Sequence, residues 1–166
     1  MNLVVSDSGP IHYLVLCEAI EVLPKLYDRL VIPSAVVQEL SHAKTPRPVS
    51  LWIRALPQWA SVQSPSQIEP SSRLGLGERE AIAIALELKA AQLLVDDRVA
   101  RRIADQRGLL TSGTTGVLEQ AAASGLVNLP EVMQKLLNTN FRIDAEVVRE
   151  LLNRDATRRK TSGSPE

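Results

Sequence analysis

One cysteine and two histidines, Cys17, His12 and His42, are the chain's whole stock of thiol and imidazole ligands. They are too few for a zinc cluster, and no disulfide can form within the chain. A reduced, cytoplasmic setting is therefore expected. Aromatic residues make up only 3% of the chain, so any core must be built from Leu, Val, Ile and Ala. The net charge is zero, which excludes both a polybasic nucleic-acid coat and a charge-driven disordered chain. Basic surface must be local and balanced by acids elsewhere. No apolar run approaches the roughly 18 residues of a membrane span. The opening MNLVVSDSG lacks the basic region and cleavage pattern of a signal peptide.

What is present is enough for one sizeable core: 166 residues, 45% of them hydrophobic. Short β-branched runs alternate with helical patterns. Strands are expected at Asn2–Ser6, Leu30–Ile32, weakly at Ala60–Gln63, at Gln92–Val95 and at Leu109–Thr111. Helices are expected after Pro10, over Ile20–Leu26, and from Ser34 as N-cap through Leu40. Residues 41–50 and Ser64–Ser72 read as loops, with a short helix at Leu51–Leu56 between them. EREAIAIALELKAA is apolar nearly all round in its middle and should be a buried helix. Further helices are expected at Arg98–Arg107, Gly116–Ser124, Pro130–Asn138 and Asp144–Asn153. This order points to an α/β layered fold with a parallel sheet. Residues 1–154 form one expected domain, and 155–166 an expected polar, disordered tail.

The acids fall at telling places. Asp7 directly follows the first strand, and Asp96 and Asp97 directly follow the strand Leu93–Val95. In an open parallel sheet the ligand crevice lies at the carboxyl ends of the strands, where strand order reverses. Glu39, in the helix after the second strand, and Glu78, at the start of the long buried helix, can reach the same edge. Carboxylates gathered there cannot all stay ionised without a cation. Hard oxygen ligands suit Mg²⁺ or Mn²⁺, and two such ions roughly 3.5–4 Å apart activate water against a phosphodiester.

The stretches VVSDSGPIHYL, VIPSAVVQEL, GLGEREAIAIALEL, LLVDDRVARRIA and SGTTGVLEQAAASGLV cover most of residues 2–127. In that order and spacing they resemble the PIN-domain family, which includes VapC-type toxins of toxin–antitoxin pairs, and within it an uncharacterised prokaryotic branch. The resemblance implies a three-layer fold with strand order 3-2-1-4-5. It also implies a metal-dependent endoribonuclease acting on single-stranded RNA. Its ligands would be Asp7, Glu39, an acid near 78 (Glu78 or Glu80) and an acid near 96 (Asp96 or Asp97). Glu78 is favoured because it lies at the helix start beside Gly77. A small antitoxin and a homodimer are the partners the resemblance implies.

Other features have weaker readings. Arg98, Arg101 and Arg102 share one helical face beside the acids, suited either to RNA phosphates or to neutralising those acids. Ser8 is either a ligand-orienting hydroxyl or a turn residue, and Thr114 is a candidate contact near the cleft. SGTTG lacks the Walker lysine and reads as a helix N-cap. Trp52 and Trp59 read as packing residues. Two rival functions remain: a non-catalytic module that binds RNA or protein, and a phosphoacceptor domain using Asp7. The second would want an acid two residues after Asp7, where Gly9 stands.

Overall fold

Side chains alternate across a strand, so a sheet covered on both sides needs apolar residues at every position. The computed structural model, which describes residues 2–71 and 73–163, has such a sheet. Val4, Leu30, Ile32 and Leu94 face one core, and Val5, Val31, Leu93 and Val95 face the other. The strands are β1 (Leu3–Ser6), β2 (Arg29–Pro33), β3 (Ala60–Gln63), β4 (Gln92–Leu94) and β5 (Thr111–Ser112). All pair in parallel in the order β3-β2-β1-β4-β5. Val5 lies opposite Val31 on one side and Leu93 on the other.

The helices, in chain order, are α1 (Ser8–Leu16), α2 (Leu23–Leu26), α3 (Ser34–Leu40), α4 (Arg47–Arg54) and α5 (Leu76–Glu87). They continue with α6 (Arg98–Gln106), α7 (Thr114–Ala123), α8 (Leu129–Leu137) and α9 (Ala145–Ser162). Helices α5 and α6 pack on the core side formed by Val5, Val31 and Leu93. Helices α1, α3, α4, α7 and α8 supply the larger core on the opposite face, with Leu151 of α9 joining it. The expected three-layer α/β architecture and strand order are present. Among the described residues, no helix is long and apolar enough to cross a membrane.

Several boundaries differ from expectation for local reasons. Helix α4 begins inside the segment read as a loop: Pro46 is its N-cap and Pro48 lies in its first turn, where a missing N–H costs nothing. The Ile20–Leu26 stretch divides into a 3₁₀ turn (Ile20–Val22) and the short α2, with Pro24 in the first turn. Strand β5 starts at Thr111 because Leu109 is used in closing α6, its N–H donating to Ala104 O at 3.1 Å. Ser72, at the end of the second expected loop, lies outside the described residues, as do residues 164–166 of the expected tail.

The tail itself is corrected as far as Ser162, because α9 runs straight through it. Asp155 is only 3% exposed and lies 3.0 Å from Arg159 Nε. Glu119 of α7 accepts from Arg154 Nε at 2.9 Å and Arg158 Nη1 at 3.2 Å. These ion pairs, rather than an apolar face, hold the segment, so hydrophobic periodicity does not reveal it. Truncation after Arg154 is expected to reduce the helical circular-dichroism signal and lower the melting temperature by several degrees. An unchanged melt would mean that the pairs contribute nothing to stability.

Candidate functional site at the sheet's switch point

Strand β1 stops at Ser6, opposite Leu94 of β4, and the N–H of Asp7 donates to Leu94 O at 2.9 Å. That bond fixes Asp7 beside the turn carrying Asp96 and Asp97. The chain leaves β1 toward β2 and β3, and returns on β1's other side as β4. Asp7 therefore stands at the point where strand order reverses.

Asp7 is only 6% exposed and makes no side-chain capping bond to α1. Burial, followed by the charges of Glu78, Glu39 and Asp96, pushes its carboxyl up to about 7, while the nearby Ser8 backbone N–H pulls it down. Glu39 projects from exposed positions of α3. The first turn of α5 approaches both acids because Gly77 has no side chain. A Cβ there would sit 3.3 Å from Glu39 Oε2 and 3.4 Å from Asp7 Oδ1. Glu78 follows, its carboxyl raised by burial and then by Asp97 and Glu39. Asp7, Ser8, Gln38, Glu39, Gly77 and Glu78 line a cleft of about 420 Å³.

Asp96 is held from the far side. Thr114 donates its backbone N–H to Oδ1 and its hydroxyl to Oδ2, both at 2.7 Å. The Asp96 carboxyl is nevertheless raised, because burial outweighs those bonds and the Arg101 charge. Gly113 is needed here, since a Cβ would lie 2.8 Å from Asp96 Oδ1. Asp97 is exposed and caps α6, accepting from Ala100 N at 2.9 Å. Both members of the Asp96–Asp97 pair thus stay near the cleft: Asp96 acts on Asp7, and Asp97 on Glu78.

Two expectations change. Thr114 is fully buried, so it orients Asp96 and does not contact a substrate. Glu80 is 7% exposed and accepts from Ser34 Oγ and Ala35 N, both at 3.0 Å. It therefore performs the capping of α3 expected from Ser34, whose place as N-cap is taken by Pro33. That leaves Glu78, the favoured alternative, facing the cleft. Ser8 lines the cleft as expected. Arg98, Arg101 and Arg102 border a separate open groove of about 600 Å³ with Asp105 and Gln106. Arg101 also stands close to Asp96, as a countercharge.

The sequence reading missed Gly113 and the roles of Thr114 and Glu80. The available signal was the run of small residues SGTT directly after the last strand, where the chain can approach a neighbouring strand end.

The donor set fits a hard divalent cation in kind. All donors are carboxylates, and those at Asp7, Glu78 and Asp96 are raised, with burial the first cause in each. Among the described residues no three His, Cys, Asp or Glu side chains stand close enough to hold one ion as they lie. An ion here would take fewer protein ligands and keep more water, as Mg²⁺ commonly does.

Residues 3–156 match the family described as DUF3368: PIN domain. Among solved structures, a PilT N-terminus domain protein from the hyperthermophilic archaeon Sulfolobus solfataricus P2 is 18% identical, with a TM-score of 0.48. The match covers 86% of this chain and 99% of that one. No curated protein matches the chain.

Proposed function

The chain belongs to the PIN-domain family, whose members are generally nucleases, and from that premise we propose that it is a metal-dependent endoribonuclease acting on single-stranded RNA. The observation that carries the reading is the buried Asp7 carboxyl at the switch point, pushed up to about 7 by burial and by three neighbouring acids. Such a group costs stability unless a cation offsets it.

Asp7, Glu39, Glu78 and one or both of Asp96 and Asp97 are the carboxylates that would hold Mg²⁺ or Mn²⁺, no more than two to an ion as they lie, with water filling the other positions. When bound, the ion supplies a nucleophilic water near neutral pH and neutralises charge at the phosphodiester. The chain's own part is positioning. Thr114 fixes the Asp96 carboxylate, Gly77 lets α5 close on Asp7 and Glu39, and Ser8 offers a hydroxyl at the cleft wall. Arg98 and Arg101 would meet backbone phosphates in the separate groove they line, Arg101 also standing close to Asp96. The resemblance to VapC-type toxins extends the proposal to a homodimer and to a small antitoxin that covers the cleft.

The test is cleavage of a structureless RNA in EDTA, Mg²⁺ or Mn²⁺, run beside Glu78→Gln. Cutting that needs metal and weakens sharply in the variant supports the reading. Cutting that persists in EDTA sinks the mechanism. Absence of cutting in any metal transfers weight to a non-catalytic RNA- or protein-binding module.

Proton and cation compete for Asp7, so Mg²⁺ affinity should rise with pH until the carboxyl is ionised. From pH 6 to pH 8 the ionised fraction of a group near 7 grows about tenfold, and the Mg²⁺ dissociation constant should fall by about that factor. Calorimetric titration at the two pH values measures it. Equal affinities would separate Asp7 from the ion.

A further inference from the structure

Beside the acid cleft lies a second depression of about 400 Å³, whose lining includes Ser8, His12, Tyr13, Glu39, His42 and Lys44. It shares Ser8 and Glu39 with the acid cleft, so the two are continuous. We infer that this depression is the subsite for the nucleotide next to the cleaved phosphate, with the base against the His12 and Tyr13 rings and its phosphate at Lys44. This inference rests on the ribonuclease reading.

The ring platform is preassembled. The His12 and Tyr13 centroids are 4.6 Å apart and tilted by 51°. Tyr13 is backed edge-on by Phe141 at 4.8 Å, and its hydroxyl donates to Asn140 Oδ1 at 3.0 Å. A base stacks on such a surface whatever its identity, because every base has a π-face. Burial lowers the His12 imidazole from its ordinary value, against the pull of the Glu39 charge.

The opposite wall carries the charge. His42 and Lys44 are exposed, and the Lys44 N–H donates to His42 Nδ1 at 3.2 Å. That bond uses Nδ1 as an acceptor and leaves Nε2 for another partner. The loop is tied to the acid site, since Thr45 Oγ1 and His42 N both donate to Glu39 O at 3.3 Å. A phosphate held at Lys44 is thus fixed relative to Glu39. The Arg98–Arg101–Arg102 groove has cations but no aromatic lining, so it suits backbone and not a base.

The chain carries its own probe, because its two histidines both line this depression. Tag-free protein would be titrated with each nucleoside 5′-monophosphate at millimolar concentrations, with and without Mg²⁺, while the two imidazole proton signals are followed by NMR. Inorganic phosphate is the control, and His12→Gln and His42→Gln assign the signals. Both signals are expected to move saturably with at least one nucleotide and less with phosphate. Lys44→Ala should weaken that binding several-fold and raise KM for RNA with little change in kcat.

Signals that stay still with every nucleotide, or that move equally with inorganic phosphate, overturn the subsite. The cleavage assay keeps the two readings apart. Cutting with unmoved signals leaves the nuclease standing without this subsite. Moved signals without cutting leave a nucleotide site on a non-catalytic module.

Discussion

Asp7→Asn should be nearly inactive and, without metal, more stable than the parent. Removing the carboxylate proposed as a ligand at the centre of the charge cluster is expected to cut the proposed metal-dependent cleavage by about 10²-fold or more. The stability gain follows from linkage. The carboxyl sits at about 7 in the folded chain against 3.8 when unperturbed. Below pH 4 both states hold the proton. Between about 4 and 7 the unfolded chain loses it first, so stability falls as pH rises, and above 7 the penalty is constant. The full shift corresponds to roughly 4 kcal/mol, and relaxation of the site brings the measurable gain to about 2 kcal/mol.

Asparagine keeps the shape without the charge, so its advantage should be largest at pH 8 and vanish near pH 4. Urea unfolding in EDTA at both pH values measures this. A variant less stable than the parent at pH 8 would overturn the argument that Asp7 is held against its own ionisation. Adding Mg²⁺ should narrow or reverse the difference, because ligand bound only by the folded parent stabilises only the parent.

The neighbouring glutamates should separate in the opposite sense. Glu80→Ala removes the acceptor for Ser34 Oγ and leaves the Ala35 N–H buried without a partner. A loss of about 3 kcal/mol is expected, given the worth of hydrogen bonds to a charged acceptor. Glu80→Gln keeps an acceptor oxygen and should lose about 1 kcal/mol. Glu78→Gln should leave stability intact or slightly raised, since its carboxyl is held up by burial and by Asp97 and Glu39, while cleavage collapses. Denaturant melts and the RNA assay, run on all three, decide it. A fully stable Glu80→Ala would mean that the α3 cap is dispensable.

The fold was readable where its signals are local. The middles of these strands, LVV at residues 3–5 and LLV at 93–95, are apolar at every position, as two-sided burial requires, and the acids after them mark strand ends. What was not readable depended on contacts distant in sequence. Nothing near Glu80 announces that it caps a helix 45 residues earlier. Its neighbour Glu78 has the same chemistry, and only the turn of α5 sends one to the cleft and the other to Ala35. Thr114 looks like an ordinary residue after a helix-capping glycine until Asp96 is seen against it. Helix α9 was legible over Asp144–Asn153, but its last turns escaped notice because they are held by Glu119 and Asp155 through ion pairs, and charge has no hydrophobic period.

The bond from Thr114 to Asp96 also bears on when the protein can act. The acids come from four well-separated stretches of chain, and the last part of their support lies beyond all of them. A ribosome moving at about 5–20 residues per second needs roughly 5–20 s to travel from Asp7 to Thr114. During that interval the growing chain holds Asp7 and Glu39 but has no completed site. On the ribonuclease reading proposed above, the message being read beside the chain is thereby spared until most of its length has been made.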